Sequence, residues 1–210
     1  MAEKEMLKLN TGTTTVGLIG KDAVVLAADQ QSNLGNIKDN LTVSKIYKIN
    51  DKVALTIAGG VGDALAVVRF MKSHAKMYEL EREYPLTPKA AMTLLANVLN
   101  GNRYYPFMAF FILGGFNGKG ELYSSDLVGG YNPVDKFTST GSGFELAYGY
   151  LEDQYKEGLP TDKLIETAVK AVKVAKRRDI NTGGESISVF VISKDGVREL
   201  TKKELEKYIA

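Results

Sequence analysis

The sequence predicts a four-layer αββα sandwich, an α+β fold in which two β-sheets face each other and a pair of helices covers each outer side. Two observations support this prediction: strand-like segments occur in adjacent pairs, and helical segments also occur in pairs. Single helices between strands would instead indicate a doubly wound parallel sheet. A length of 210 residues suits one domain whose core is large enough to form without metals or disulfides.

The first half of the chain reads as two β-hairpins followed by two helices. The predicted strands cover residues 13–20 and 23–28 around Gly20-Lys21-Asp22, then 45–49 and 52–58 around Asn50-Asp51. A helical pattern runs from about Gly62 to Tyr84 and stops before Pro85. Thr87 is the predicted N-cap of the next helix, and Pro88 is its first residue.

The second half repeats the order of strands and helices. The predicted elements are strands at 107–114 and 121–125 around Asn117-Gly118, helices at 143–156 and 161–178, and a strand at 187–192. Thr161 is the predicted cap of the longer helix. A turn at Lys194-Asp195-Gly196 precedes a short terminal helix that begins at Thr201.

The composition excludes several kinds of chemistry. There is no cysteine, so thiol catalysis, cysteine-bearing zinc sites and disulfides are excluded. The only histidine, His74, lies in an amphipathic stretch where a position on a helix surface is the simpler interpretation. A histidine-dependent catalytic triad is therefore not expected. We predict neither a metal nor a cofactor.

The charges are balanced and interspersed. The net charge is +2, so neither a nucleic acid nor a membrane is an expected partner. The first eight residues carry too many charges for a signal peptide, and the longest apolar run, 107–113, is too short to span a bilayer. These features predict a cytoplasmic protein.

The junction between Gly12 and Thr13 is the most informative local feature. Cleavage after Gly12 would give Thr13 a free α-amine beside its own hydroxyl, so that one residue would hold a nucleophile and its base. On this interpretation the chain is a threonine hydrolase made as a precursor, with residues 1–12 as a prosegment and 13–210 as the catalytic domain.

A threonine nucleophile needs a nearby charge to tune it. The α-amine has a reference pKa of about 7.7 to 8.0, and an adjacent ammonium favours both its neutral form and a developing alkoxide. Asp29 ends the second predicted strand and Lys45 begins the third, so hairpin pairing could bring both near Thr13. The competing interpretation is that Thr13 is an ordinary strand residue, Asp29 a turn residue and Lys45 a solvated lysine.

Several segments together resemble an archaeal-type proteasome β subunit, a family of N-terminal nucleophile hydrolases with the αββα fold. The segments that carry the resemblance are Thr13-Thr14-Thr15-Val16-Gly17, Lys21 to Asp29, Lys45-Ile46, Thr56 to Asp63, Ser139 to Gly143 and Arg178 to Gly184. They occur in the family's order and cover nearly the whole chain after Gly12.

The resemblance implies a role for each matching residue. Thr13 would be the nucleophile, with Lys45 tuning it, Asp29 as the counterion of Lys45, and the Gly59 backbone N–H as oxyanion donor. Three further residues would surround the Thr13 amine and relay protons: Ser142, Asp179 and Thr182. Without the family, Gly59 and Ser142 would be read as turn residues, and Asp179 as the end of a helix.

The implied reaction is hydrolysis of peptide bonds in unfolded polypeptides through an ester intermediate on Thr13. Processing would be autocatalytic, because Gly12 offers no side chain that obstructs attack on its carbonyl. Ile57, Val61 and Tyr47 match positions that shape the pocket for the residue before the cut, which predicts cleavage after large hydrophobic residues. The competing interpretation is that these side chains only fill the core.

The chain departs from the family after Asp29, where a basic pair is usual. Gln30 and Gln31 occupy those positions, and Asn33 lies where the substrate backbone should pair as an added strand. We expect altered preference rather than loss of activity. The alternative is a ring-building β paralogue that is slow or silent in catalysis and serves assembly.

The resemblance also implies partners. These are other β subunits in seven-membered rings stacked back to back, rings of α subunits, and a regulatory unfolding ATPase. The related bacterial two-ring peptidase fits less well, because its chains are typically shorter and lack the extended C-terminal end.

Overall fold

Two five-stranded antiparallel sheets face each other in the computed structural model, which describes residues 12–209. The strands, in chain order, are β1 (Thr14–Ile19), β2 (Ala23–Asp29), β3 (Ser32–Leu34), β4 (Ile37–Asn40), β5 (Ile46–Asn50), β6 (Val53–Gly59), β7 (Ala109–Phe116), β8 (Gly120–Ser125), β9 (Tyr131–Pro133), β10 (Phe137–Gly141), β11 (Ile187–Ser193) and β12 (Gly196–Glu199). The first sheet has the order β10-β1-β2-β11-β12, and the second has the order β5-β6-β7-β8-β9. Strands β3 and β4 form a separate hairpin.

The helices form the two outer layers. They are α1 (Val61–Arg82), α2 (Pro88–Gly101), α3 (Phe144–Gln154), α4 (Thr161–Arg178) and α5 (Lys202–Ile209). Helices α1 and α2 cover the second sheet, α3 and α4 cover the first, and α5 packs against α4. The predicted αββα sandwich is confirmed.

Apolar side chains fill all three spaces between the layers. Leu26, Ile112 and Leu122 lie between the sheets and are almost completely buried. Every residue of β2 is buried, because the facing sheet covers one side and α4 covers the other. This explains why β2 reads as a nearly continuous apolar run instead of an alternating one.

The helix ends agree with the sequence in one case and differ in another. Thr87 is the N-cap of α2, and its hydroxyl accepts from the Ala90 N–H at 3.4 Å, as predicted. The prediction for Thr161 is wrong: Thr161 is the first residue of α4, and Pro160 occupies the N-cap position without a side-chain cap bond. Because the φ angle of proline already suits entry into a helix, the chain turns there without a hydroxyl cap.

The sequence analysis missed β3, β4, β9, β10 and β12. Most of these strands are short and exposed, so they lack the alternation that identifies a half-buried strand. Strand β10 is polar, and its buried hydroxyls are bonded; Ser139 Oγ donates to the Thr15 carbonyl at 2.8 Å. The hairpin β5-β6 also belongs to the second sheet, and not to the sheet that contains β1 and β2.

Candidate active site at the Gly12–Thr13 junction

Thr13 lies directly before β1 and is almost completely buried. Its carbonyl accepts from the Gly143 N–H at 3.3 Å, and Thr14 pairs with Gly141 of β10. The backbone of Gly141 has a φ of 98°, and a Cβ there would lie 2.2 Å from the Thr13 carbonyl oxygen. Glycine at position 141 therefore permits the close approach that holds Thr13 in place.

The Lys45 ammonium makes three hydrogen bonds at this junction. It donates to Asp29 Oδ1 at 2.8 Å, to Thr13 Oγ1 at 3.0 Å and to the Gly12 carbonyl oxygen at 2.7 Å. An ammonium has three protons, so these three acceptors satisfy it completely. Lys45 therefore connects the hydroxyl of Thr13 with the carbonyl of Gly12.

Asp29 is fully buried and compensates the charge of Lys45. Oxygen Oδ1 also accepts from the Thr14 N–H at 2.9 Å, while Oδ2 accepts from the N–H groups of Gly183 at 2.9 Å and Gln31 at 3.1 Å. A buried ion pair is tolerated when further hydrogen bonds satisfy its atoms, as they do here.

The route by which Lys45 reaches Asp29 differs from the prediction. The sequence analysis suggested that hairpin pairing could bring both residues near Thr13, but Lys45 precedes β5 in the second sheet, and its carbonyl accepts from the Ile57 N–H at 2.9 Å. Its side chain crosses to the first sheet, where Asp29 ends β2. The face-to-face packing of the two sheets therefore assembles this part of the site.

Burial lowers the pKa of Lys45 from the ordinary lysine value, because desolvation disfavours the ammonium. The nearby Asp29 carboxylate and its hydrogen bond raise that pKa again, but they offset only part of the lowering. Lys45 is therefore a cation that gives up its proton more readily than a lysine on the surface.

Ser142 and Asp179 lie on the other side of Thr13. The Thr13 N–H donates to Ser142 Oγ at 3.3 Å, and Ser142 Oγ donates to Asp179 Oδ2 at 2.5 Å. Asp179 is the C-cap residue of α4, so the end of that helix places its carboxylate. Thr182 Oγ1 donates to the same carboxylate oxygen at 2.5 Å and lies 2.7 Å from Thr14 Oγ1. Thr182 thus joins the network through Thr14 and Asp179.

Gly59 lies at the end of β6 with a φ of 129°, and a Cβ there would be 2.3 Å from the Met108 carbonyl oxygen. The same corner is held by Gly60, whose N–H donates to that oxygen at 2.7 Å, and by Asp63, whose carboxylate accepts from the Met108 N–H at 2.9 Å. The turn alone therefore requires glycine at position 59. In this chain the Gly12 carbonyl oxygen accepts from Lys45 and Thr13, and the oxyanion role of Gly59 stays a prediction.

A pocket of about 280 Å³ opens beside Thr13 and Lys45. It is lined by the residues that the sequence analysis assigned to substrate binding and by neighbouring apolar side chains: Asn33, Tyr47, Ile57, Val61, Val43 and Leu65. The Tyr47 hydroxyl donates to the Ser44 carbonyl at 2.8 Å, and the Lys72 ammonium lies 5.5 Å from the centre of the Tyr47 ring. The wall is therefore mainly apolar, with one aromatic ring whose polar tip is directed to the backbone.

The amide nitrogens of the two glutamines that replace a basic pair are hydrogen-bonded. Gln30 Nε2 donates to Ser188 Oγ at 2.9 Å. Gln31 is 1% exposed, and its Nε2 donates to Asn33 Oδ1 at 2.8 Å and to the Ile180 carbonyl at 3.1 Å. The Lys45 contacts are intact beside them. Sequence reasoning missed Gln31 and Thr14 as parts of the site, since no local pattern shows that a polar side chain is buried.

The charged groups of the site are paired with each other and with backbone groups. Between residues 12 and 209, no group of three or more His, Cys, Asp or Glu side chains is placed to hold a metal ion. No helix in the described part of the chain has the length and apolar character needed to cross a membrane.

Two facing antiparallel sheets between layers of helices are the architecture of the N-terminal nucleophile hydrolase fold. A family model described as proteasome subunit matches residues 9–192. The chain therefore belongs to the proteasome subunit family, and its relatives are β subunits of archaeal type.

Three relatives illustrate the similarity. Proteasome subunit beta 1 of Thermococcus onnurineus is 43% identical over 206 residues, which cover 98% of each chain. Proteasome subunit beta 2 of Pyrococcus furiosus is 45% identical with the same coverage. Proteasome subunit beta of Methanocaldococcus fervens is 45% identical over 200 residues, covering 94% of this chain and 89% of the relative. Members of this family assemble with other proteasome subunits and are generally peptidases.

Proposed function

We propose that this chain is a threonine endopeptidase subunit of a proteasome core particle, which cleaves itself between Gly12 and Thr13 and then hydrolyses unfolded polypeptides. One observation carries the proposal: the Lys45 ammonium is bonded at once to the Thr13 hydroxyl, to the Gly12 carbonyl oxygen and to buried Asp29. The competing interpretation, in which Thr13 is an ordinary strand residue and Lys45 is a solvated lysine, does not account for this contact.

Self-cleavage follows from this geometry as an acyl shift. Thr13 Oγ1, which lies 2.6 Å from the Gly12 carbonyl oxygen, attacks the Gly12 carbonyl carbon. The oxyanion that forms on the carbonyl oxygen is already 2.7 Å from Lys45 Nζ. The bond from the carbonyl carbon to the Thr13 nitrogen then breaks, and this nitrogen takes up the proton that the hydroxyl loses. Water hydrolyses the resulting ester and releases the segment that ends at Gly12.

The released α-amine becomes the base for later turnovers. It arises where the Thr13 N–H now donates to Ser142 Oγ, so Ser142 and Asp179 are placed to orient it. The amine accepts the proton of the Thr13 hydroxyl as that hydroxyl attacks a substrate carbonyl, and the Gly59 N–H serves as oxyanion donor. Thr182 supports this arrangement through its hydrogen bonds to Asp179 and Thr14.

The apolar pocket supports cleavage after large hydrophobic residues. We expect peptides with leucine or phenylalanine before the cut to have a kcat/KM at least about tenfold above that of the arginine analogue, because the pocket offers no counterion. In Val61→Glu this ratio should fall, since Val61 is half-exposed at the pocket wall and a carboxylate there would favour arginine.

Met77→Glu is the matched control for this specificity test. Met77 is exposed to a similar degree on the same helix, at 54% compared with 51% for Val61, but it does not line the pocket. An equal change of preference in both variants, or no change in Val61→Glu, would show that Val61 does not shape the pocket.

The proposal includes partners and a location. We place the chain in heptameric β rings stacked back to back between rings of α subunits, served by a regulatory unfolding ATPase in the cytoplasm. The family membership supports assembly with other proteasome subunits, and the ring order and the ATPase follow from the resemblance to archaeal-type β subunits.

Intact mass spectrometry of the chain, assembled with the α subunit and any second β subunit of its organism, tests the proposed function. We expect the assembled chain to lose the segment that ends at Gly12 and peptide hydrolysis to appear at the same rate. A full-length chain in assembled rings without hydrolysis would contradict the proposal and would identify the alternative, a structural β paralogue that serves assembly.

A further inference from the structure

We propose that the Asn33 side chain is a specificity-determining residue, which restricts the residue before the self-cleavage site to glycine. The inference rests on the proposed self-cleavage and goes beyond it, because it assigns the glycine requirement to one side-chain amide. The sequence analysis placed Asn33 where the substrate backbone should pair as an added strand.

The space beside Gly12 is closed. A Cβ added to Gly12 would lie 1.8 Å from Asn33 Nδ2, 2.5 Å from the Asn181 carbonyl oxygen and 3.0 Å from Asn33 Cγ. Carbon atoms do not approach nitrogen or oxygen atoms this closely without a covalent bond, so any side chain at position 12 must displace Asn33, Asn181 or Gly12 itself.

Both ends of the Asn33 amide are held. Its Nδ2 donates to the Asn181 carbonyl at 3.0 Å, and its Oδ1 accepts from Gln31 Nε2 at 2.8 Å. These two bonds determine the orientation of the amide, because exchanging its oxygen and nitrogen would break both of them. Asn33 therefore cannot turn away from Gly12 without losing its partners.

Gln31 in turn cannot follow a displaced Asn33. It is almost fully buried, its second bond reaches the Ile180 carbonyl, and a Cβ at Gly183 would lie 2.1 Å from Gln31 Oε1. Moving Asn33 would leave a buried amide without one of its partners, which is unfavourable. Gln31 thus acts as a support behind Asn33.

Displacement of Gly12 would instead move its carbonyl group, which is the group that reacts, out of position. Its carbonyl oxygen is placed by the Lys45 ammonium at 2.7 Å and the Thr13 hydroxyl at 2.6 Å. A shift that relieves contacts of 1.8 and 2.5 Å would move the carbonyl relative to both groups. Because misplacement by about 1 Å can cost about 100-fold in rate, a side chain at position 12 should slow self-cleavage strongly.

A set of four variants tests the inference by intact mass during assembly with the α subunit and any second β subunit. We expect Gly12→Ala to slow self-cleavage about 100-fold. In the double variant with Asn33→Ala, Gly12→Ala should slow self-cleavage at least about tenfold less, measured against Asn33→Ala alone, than it does in the wild type. The reason is that Asn33→Ala removes Nδ2 and frees the Asn181 carbonyl to move. Gly12→Ala with Gln30→Ala is the control and should show no recovery, because Gln30 is bonded to Ser188.

The outcomes separate this inference from the proposed function. Rapid processing of Gly12→Ala, or no recovery in the double variant with Asn33→Ala while the wild type is processed, overturns the role of Asn33 and leaves the proposed function standing. Recovery in the Gln30 control to the same extent also overturns it, since the effect would then be general loosening. Absence of processing in the assembled wild type contradicts the proposed function and this inference together. Assembly of each variant, measured as ring mass, verifies that folding is retained.

Discussion

Replacement of Thr13 by alanine is expected to leave the chain at full length and to abolish peptide hydrolysis. The variant removes the atom that lies 2.6 Å from the Gly12 carbonyl oxygen and 3.0 Å from Lys45 Nζ, so neither the acyl shift nor the later ester can form. The expected loss is complete within detection. It is measured as intact mass and as hydrolysis of a hydrophobic fluorogenic peptide by assembled rings.

Thr13→Ser is the matched variant, because it keeps the hydroxyl and removes only the methyl group. It should process itself and hydrolyse peptides, at a rate within about tenfold to 100-fold of the wild type, since a β-branched residue restricts its hydroxyl to fewer rotamers than serine does. If Thr13→Ala still lost the segment through Gly12 in purified rings, cleavage would be the work of another protease or of a neighbouring subunit.

Replacement of Lys45 by alanine is expected to lower both self-cleavage and peptide hydrolysis by about 100-fold to 1000-fold or more, the cost of losing one donor to a developing oxyanion. The variant also leaves the Asp29 carboxylate buried without its cation, which costs about 3 to 5 kcal/mol in the free energy of unfolding. A loss of activity in this variant alone would therefore not distinguish chemistry from folding.

Lys45→Arg separates these two effects. A guanidinium retains the positive charge next to Asp29, but its planar fork is larger and cannot place three donors where the ammonium places them. We expect near wild-type thermal stability with activity still reduced by at least about tenfold. Wild-type activity in Lys45→Arg would mean that only the charge matters, and the three bonds of Lys45 would lose their proposed significance.

The lowered pKa of Lys45 adds a dependence on pH to the same prediction. Lys45 donates hydrogen bonds as an ammonium, so its contribution is present at low pH and is lost as the pH rises through its pKa. Because burial lowers this pKa, self-cleavage should already decline at a pH below about 10.4, the ordinary pKa of lysine. Rates of self-cleavage measured between neutral and alkaline pH test this, and a profile that stays flat through that range would contradict it.

Local sequence patterns predicted the buried strands and the long helices well. Strands β2 and β6 are apolar along their length because both of their faces are covered, and α4 shows its apolar stripe because one face packs on the first sheet. Strands such as β3, β4 and β9 escaped prediction because they are short and largely exposed, so hydrophobic periodicity carries no signal there.

The candidate site could be named from the sequence but its assembly could not be derived from it. Thr13, Asp29 and Lys45 were identified by motif, and hairpin pairing was suggested as the way they come together. In the structure Lys45 lies directly before β5 of the second sheet and reaches Thr13 across the sandwich. Hairpin signals define which strands are neighbours in the chain, but they do not define which sheet a hairpin joins.

By itself, the sequence determined the order of the buried strands and the long helices, the absence of cysteine and so of thiol chemistry, and the Gly12–Thr13 junction with its matching motifs. Only the tertiary structure decided that one ammonium bonds the Thr13 hydroxyl, the Gly12 carbonyl and the Asp29 carboxylate, and that the Asn33 amide closes the space beside Gly12. The physical reason is that these contacts join residues distant in the chain, such as Asn33 and Asn181. Their distances depend on how layers pack and which way side chains point, and neither leaves a periodic pattern in the sequence.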